Sequence, residues 1–151
     1  MASSASSPAI HVRPARRSDV PRLTSLCGQL GYPSTEHQVA ARLAAIESMP
    51  EHALFVADAS NGMLAGFLDI FVMRTIESDA RAEIAGLVVD ETYRSQGVGQ
   101  LLIDSAEAWA REHGCTAVSL RTNVIRERAH AFYEREGYKH IKTQKSYRKP
   151  L

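Results

Sequence analysis

The chain has only two cysteines, Cys27 and Cys115, among its 151 residues. They lie far apart, and neither belongs to a Cys-x-x-Cys pair or to a cluster of histidines at metal-ligand spacing. This scarcity argues against a disulfide framework and against a zinc site. We therefore expect reduced thiols in a cytoplasmic protein whose chemistry requires no metal.

Long hydrophobic runs are missing as well. A transmembrane helix needs roughly 18 or more consecutive apolar residues, and the best segment, 63–73, is shorter and contains Asp69. Residues 1–9 lack the apolar stretch of a secretory signal, so we predict a disordered leader there. We expect no membrane partner.

An excess of charge of one sign is also missing, since the formal net charge is +1. The charge is nevertheless divided along the chain, because residues 121–151 carry nine Lys and Arg against three acidic side chains. Such a segment suits an anionic ligand or a solvated surface. Its cations are interleaved with apolar helix positions and lack an aromatic stacking array, so we expect no nucleic-acid partner.

The remaining composition, 44% hydrophobic and 23% charged, is that of an ordinary globular domain, which we assign to residues 10–151. Alternating and helical patterns predict the order β-α-α-β-β-β-α-β-α, with weak β character over 138–149 suggesting a final hairpin. Segment 84–89 is apolar at every position and predicts a strand covered on both faces. The fold class is therefore α/β (α+β), a mostly antiparallel mixed sheet with helices on both faces.

Local signals mark the helix ends. Thr35 followed by Gln38 matches a capping box at a helix N-terminus. Gly31, followed by Tyr32 and Pro33, ends the first predicted helix, Gly137 ends the last, and Gly114 follows another at the C′ position.

The most informative stretch joins the apolar strand to a helix through Arg94-x-x-Gly97-x-Gly99. The first turn of a helix has unpaired N–H groups and a positive dipole end, so anions bind there. Glycines let a ligand approach the backbone, and Arg94 can pair with phosphate oxygens. The lysine of the P-loop and the third glycine of the dinucleotide fingerprint are both missing. The pattern predicts an anion site, but not one for a nucleoside triphosphate or NAD.

Three stretches together resemble the GNAT superfamily of acyl-CoA-dependent N-acetyltransferases, in its small-molecule type. They are strand 83–89 leading into the glycine turn, the segment Arg126-x-x-Ala129-His130-x-Phe132-Tyr133-Glu134, and the Gly137-Tyr138 that follows. The order of elements over residues 10–151 also resembles this family. The resemblance implies a GNAT-like fold, acetyl-CoA as cosubstrate and acetyl transfer to an amine.

The resemblance also implies how acetyl-CoA is held. Backbone groups of the strand end would pair with the pantetheine arm as an added strand, and Gly86 is a plausible bulge that frees them. Arg94 and the N–H groups of residues 96–100 would hold the pyrophosphate. Arg126 stands where the family often has asparagine, and Asn123 precedes it, so both are included. The implied cofactor-binding residues are Leu87, Val88, Val89, Arg94, Ser95, Gln96, Gly97, Val98, Gly99, Gln100, Asn123, Arg126, Ala129, Phe132 and Tyr133.

Two residues are implied to be catalytic. Tyr133 would lie beside the thioester sulfur and protonate or orient the departing thiolate, and its ordinary pKa of about 10 suits that donor role. Glu83 would act as general base, as a glutamate at this strand position does in histone-type members. It lies six residues before Val89, so strict alternation predicts the same face for both. The alternatives are a tyrosine packed beside Phe132 and an exposed glutamate at a strand start.

The acceptor is indicated less directly. Asp69, Glu77, Asp79 and Glu83 cluster around the third and fourth strands, near the side from which the family's acceptors enter, and acid there would suit a cationic small-molecule or peptide amine. No Cys or Ser lies in a nucleophile–base pattern, which favours direct transfer in a ternary complex. The rival interpretation is an acyl-CoA-binding regulatory module without turnover. The family's tendency to dimerise makes a homodimer the expected assembly.

Overall fold

The computed structural model describes residues 9–60, 62–122 and 124–151. The chain divides into two compact units, Met1–Leu120 and Arg121–Leu151. Residues 1–8 lie outside the described part, so the leader over 1–9 and the single domain over 10–151 stay predictions. Among the described residues, no helix is both long and apolar enough to cross a membrane.

The first unit is built on a five-stranded sheet. Its strands are β1 (His11–Pro14), β2 (His52–Asp58), β3 (Leu64–Thr75), β4 (Ser78–Val89) and β5 (Val118–Leu120). They lie side by side in chain order. Of the four pairings among the described strands, three are antiparallel and that of β4 with β5 is parallel, which confirms the predicted mostly antiparallel mixed sheet.

Three helices accompany the sheet: α1 (Val20–Leu30), α2 (Glu36–Glu47) and α3 (Val98–Glu112). The predicted capping box is present, because the Gln38 N–H donates to Thr35 Oγ1 at 3.1 Å and the Thr35 N–H donates to Gln38 Oε1 at 3.0 Å. Gly31 ends α1 in the left-handed conformation, at φ 99°. These helix limits are confirmed because they depend on neighbours in sequence.

The two faces of the sheet carry different helices. Cross-strand partners share a face, and in β3 and β4 Gly66 pairs with Val89 whereas Asp69 pairs with Gly86. A Cβ on Gly66 would lie 3.4 Å from Leu102 of α3, whereas one on Gly86 would lie 3.5 Å from Leu30 of α1. Helices therefore cover both faces, as predicted. We call them the α3 face and the α1/α2 face, since the core on the latter joins both helices.

Arg13 ties β1 to two carboxylates. Its Nε donates to Asp58 at 2.9 Å, and its two terminal nitrogens donate to the two Asp19 oxygens at 2.8 Å each. Burial alone would raise the pKa of Asp19, but hydrogen bonds from Arg13 and the Arg16 N–H bring it below its usual value. The Arg13 hydrogen bond also lowers the pKa of Asp58.

Replacing Arg13 by leucine should destabilise the protein by roughly 2 kcal/mol at pH 7. This value lies between the cost of breaking an exposed salt bridge and that of breaking a fully buried one. Both carboxylates bind fewer protons in the native protein than in the unfolded chain. Their contribution to the free energy of unfolding is therefore complete above their unfolded pKa of about 3.9 and is lost as pH falls through the lowered native pKa values. Urea unfolding should therefore show a wild-type advantage that shrinks at pH 3. Arg17→Leu, at an exposed position, is the control. An advantage that is unchanged at pH 3 would contradict this assignment.

In the second unit, residues Glu127–Arg135 form helix α4. Gly137 follows it at φ 92°, which confirms the predicted helix end. The predicted final hairpin is wrong, since the described residues from Tyr138 onward form no strand. Two apolar residues of this segment, Ile141 and Tyr147, are 80% and 86% exposed, so the alternation there has no buried face to stabilise it.

Candidate functional site

A β-bulge interrupts β4 in the middle of the predicted site. Ile70 of β3 lies opposite Ile84, but the preceding residue, Asp69, lies opposite Gly86. Ala85 is therefore the extra residue, one position before the glycine at which a bulge was expected. Bulges bend a strand and locally disrupt its pairing.

The bulge changes which side chains share a face. Glu83 pairs with Phe71, and Val88 pairs with Phe67, two residues of β3 on the same face. Glu83 therefore lies on the α1/α2 face with Val88, and the expectation that it shares a face with Val89 is wrong. Strict alternation fails here because the extra residue shifts the period of two by one position.

Beyond the bulge, β4 continues past the end of β5. The parallel pairing covers only Ala82–Ile84, whereas the end of β4, over residues 86–89, is paired with β3 alone among the described strands. Ala85 is exposed, and Leu87 and Val89 are half-buried. Helices lie on both faces of segment 84–89, as predicted, but beyond the bulge its edge has no second strand partner among the described residues. This open strand edge leaves backbone groups of residues 87–89 available to a ligand that adds as a strand.

Side-chain hydrogen bonds hold the start of the following loop. Asp90 accepts from the Thr92 N–H at 2.9 Å and from its hydroxyl at 2.7 Å. Gln29 of α1 donates to Asp90 at 3.1 Å and accepts from the Glu91 N–H at 3.1 Å. The pattern Asp-x-Thr is a recognisable turn signal that our sequence reading missed. Gln29 carries no local signal.

The loop leads into α3 at Gly97, whose backbone has the left-handed conformation at φ 78°. Within the described residues no side chain caps this helix, and its first turn contains no acidic residue. The first intrahelical bond of the cap runs from the Leu101 N–H to Gly97 at 3.2 Å. The N–H groups of residues 98–100 thus lack acceptors within the helix, and the positive end of the dipole favours an anion there.

The predicted loop residues lie together on this segment. Arg94, Ser95, Gln96, Gly97 and Gln100 are exposed, Gly99 is half-buried and lies in the first helical turn, and Val98 is 1% exposed. Only Gly97 of the two glycines requires a left-handed backbone. Ser95 shares that conformation, at φ 65°, which is uncommon for a residue with a side chain.

Gly66 is a structural residue of the site that sequence reasoning missed. A Cβ at this position would lie 2.4 Å from the Val88 carbonyl oxygen and 3.2 Å from the Val89 Cα. The absence of a side chain on β3 thus allows the end of β4 to lie where it does.

The second unit holds Tyr133. Its ring contacts those of Phe132 and Tyr138, with centroids 5.3 Å and 6.1 Å away. Burial raises the pKa of the Tyr133 hydroxyl, and the positive charge of Arg126 partly opposes this. Arg126 is exposed, Ala129 and Phe132 are half-buried, and Asn123 lies outside the described residues.

The predicted acidic cluster divides into two groups. Asp69 and Glu83 lie on the α1/α2 face, where Glu83 is 7% exposed. Glu77 and Asp79 are exposed at the tip of the β3–β4 hairpin. Only the first pair lies beside the bulge.

Hollows of about 310 and 240 Å³ occur elsewhere, along α2 and beside the start of β2. Neither is lined by residues of β4 or of the following loop. The edge of β4 over residues 86–89 has no second strand partner among the described residues, and this backbone geometry defines the candidate site.

Comparisons with known proteins identify the family and the fold. The acetyltransferase (GNAT) family model matches residues 20–138. An aminoglycoside N(6')-acetyltransferase type 1 from Klebsiella aerogenes is 30% identical over 147 residues, 93% of this chain and 96% of that protein. An aminoalkylphosphonate N-acetyltransferase from Salmonella typhimurium is 38% identical over 80 residues, 52% of each chain. The fold is similar to that of AAC(6')-Iy in complex with the bisubstrate analog CoA-S-monomethyl-acetylneamine, with a TM-score of 0.82, 20% identity, and coverage of 95% of this chain and 99% of that one.

The family match covers most of the chain and confirms the resemblance seen in the motifs. The relative matched along nearly its whole length is an acetyltransferase, which sets aside the regulatory module without turnover. The chain belongs to the GNAT family of acetyltransferases, as an acyl-CoA-dependent N-acetyltransferase whose cosubstrate is acetyl-CoA.

Proposed function

We propose that this enzyme transfers acetyl directly from acetyl-CoA to a primary amine of a small cationic acceptor, in a ternary complex. The observation that carries the proposal is the end of β4, which among the described strands is paired only with β3, beside an uncapped α3, with two carboxylates on the α1/α2 face. A coenzyme site and an acidic acceptor site would then meet at the bulge.

Two parts of acetyl-CoA match the chemistry of the end of β4 and the start of α3. Its pantetheine arm carries amide groups, which pair with the open backbone edge of Leu87–Val89 as a strand would. Its pyrophosphate is an anion, which the N–H groups at the start of α3 and the exposed Arg94 attract. Ser95, Gln96 and Gln100 are exposed along the same path. In the second unit, Asn123, Arg126, Ala129 and Phe132 complete the proposed set by resemblance to the family.

The reaction forms an N–C bond and breaks the C–S bond of the thioester. The attacking amine must be neutral and gives up a proton, while the departing thiolate must be stabilised or protonated. We assign the proton-accepting role to Glu83, directly or through water, and the donor role to Tyr133. A hydroxyl whose pKa is raised by burial stays protonated at neutral pH, as a donor must.

The acceptor class follows from charge. Asp69 and Glu83 present carboxylates on the α1/α2 face, which favours an amine that carries positive charge. The Klebsiella relative is by name an aminoglycoside acetyltransferase, and aminoglycosides are cationic. Exclusive acetylation of neutral or acidic amines by the purified enzyme would contradict this class.

The coenzyme site is tested by calorimetric titration with acetyl-CoA, with NAD and ATP as controls. Arg94→Ala should weaken acetyl-CoA binding by about ten- to a hundredfold, since hydrogen bonds to charged groups contribute about 1.5–3 kcal/mol. Arg111→Ala, at an exposed position near the other end of α3, should leave binding unchanged. Equal affinities for both variants would remove Arg94 from the site.

A further inference from the structure

His52 and Asp69 form a hydrogen-bonded pair on neighbouring strands of the sheet. His52 Nε2 lies 2.5 Å from Asp69 Oδ1. The two side chains are 17% and 25% exposed. In register, His52 lies opposite Phe71 and reaches diagonally across the strand pair to Asp69, while its ring lies against Phe71 with centroids 5.8 Å apart.

The pair lies at the level of the bulge. Asp69 is the cross-strand partner of Gly86, the residue directly after Ala85. Its side chain therefore shares the α1/α2 face with Glu83, which pairs two positions along β3, with Phe71. Asp69 is thus beside the point where β5 ends and β4 continues, on the face opposite α3.

One oxygen of Asp69 is left for another partner. Among residues 9–60, 62–122 and 124–151, the hydrogen-bond partner of the Asp69 carboxylate is His52, whose Nε2 contacts Oδ1. No buried side-chain oxygen or nitrogen of the described residues lacks a partner, so Oδ2 is reached by solvent. Burial raises the pKa of Asp69, against the effect of His52. A positive charge at Oδ2 would therefore relieve part of the cost of keeping this carboxylate ionised.

We propose that Asp69 determines acceptor specificity by binding a second ammonium group of the acceptor, and that His52 positions Asp69 for this contact. The inference rests on the proposed function and deepens it. The group that reacts must lose its proton, whereas the group at Asp69 keeps its charge. Acceptors with two or more amines are therefore preferred over monoamines.

His52 acts through Asp69, since its Nε2 fixes Oδ1 and leaves Oδ2 toward the acceptor. A glutamine at position 52 can still donate a hydrogen bond, whereas a phenylalanine fills similar space without a donor. The two variants therefore separate positioning of the carboxylate from packing against Phe71.

The test is steady-state kinetics over an amine series of rising charge: 1-aminopentane, 1,4-diaminobutane, spermidine and the polyamine sugar neamine. For wild type, kcat/KM should rise with the number of ammonium groups. Asp69→Asn should raise KM for the polyamines at least tenfold, with less than a twofold change in KM for 1-aminopentane and in the calorimetric Kd for acetyl-CoA. His52→Phe should raise polyamine KM severalfold, and His52→Gln should restore most of it.

Glu77→Gln and Asp79→Asn are matched controls, because each removes one negative charge from the exposed hairpin tip and should leave selectivity unchanged. Unfolding midpoints and acetyl-CoA binding identify any variant that fails to fold. If Asp69→Asn does not fold, the comparison of polyamine KM between His52→Phe and His52→Gln tests the proposal instead. Polyamine acetylation with the same selectivity in Asp69→Asn would overturn this inference alone. Acetylation restricted to neutral or acidic amines, or of no amine in the series despite acetyl-CoA binding, would overturn the cationic acceptor and this inference together.

Discussion

Tyr133→Phe should lower kcat by about 10²- to 10⁴-fold, the usual contribution of a positioned acid, while the Kd for acetyl-CoA changes less than twofold. The substitution removes only the hydroxyl, so the ring contacts with Phe132 and Tyr138 persist. CoA release, followed with a thiol reagent, gives kcat, and calorimetry gives the Kd. An unchanged kcat would remove the acid role.

A matched control and a pH profile sharpen this result. Tyr147→Phe removes a hydroxyl from an 86% exposed side chain of the same unit, and kcat should not change. Because burial raises the pKa of Tyr133, the donor should remain protonated beyond its usual value of about 10. Loss of kcat through ionisation of this group should therefore begin only above that pH, and the corresponding alkaline limb should be absent from Tyr133→Phe.

Gly66→Ala should destabilise the protein by about 3 kcal/mol, at the upper end of ordinary overpacking, and should weaken acetyl-CoA binding at least tenfold. The added Cβ would lie 2.4 Å from the backbone oxygen of Val88, and a backbone atom in a sheet cannot move aside as the end of a side chain can. β3 and β4 must therefore separate where the pantetheine arm is proposed to pair.

Gly28→Ala is the control for that experiment. Gly28 lies within α1, and a Cβ added there would meet no atom within 4 Å outside the helix's own backbone, so alanine there should be neutral or should stabilise by up to about 1 kcal/mol. Urea unfolding and calorimetry measure both variants. Equal stability of the two variants would show that the sheet accommodates the methyl group at Gly66.

Much of the fold could be predicted because its signals are local. The capping box at Thr35, the left-handed Gly31 and the glycine turn at Gly97 each depend on a few neighbouring residues, and all are present. The alternating strand patterns likewise predicted an antiparallel sheet. Such features are fixed by short-range sterics and hydrogen bonding.

The details of the site depend on contacts between distant segments. Nothing around Ala85 distinguishes it from its apolar neighbours, and the bulge exists only in its pairing with β3. This is why the face of Glu83 was wrongly predicted. His52 and Asp69 are 17 residues apart and Gln29 and Asp90 are 61 apart, so their hydrogen bonds follow from the register of the sheet and the packing of α1. The prediction of a final hairpin was wrong for the opposite reason. The alternating pattern over 138–149 is local, but its apolar side chains Ile141 and Tyr147 are exposed, so burial does not stabilise a strand there.

The extra residue in β4 divides that strand into two segments with opposite phase. Upstream, odd-numbered positions such as Arg81 and Glu83 point to the α1/α2 face; downstream, the odd-numbered Leu87 and Val89 point to the α3 face. On the proposed assignment, a substitution in the upstream segment would alter the surface offered to the acceptor and leave the downstream segment, proposed to pair with acetyl-CoA, unchanged. One inserted residue would then allow the choice of amine to vary along a strand whose coenzyme-binding end stays constant.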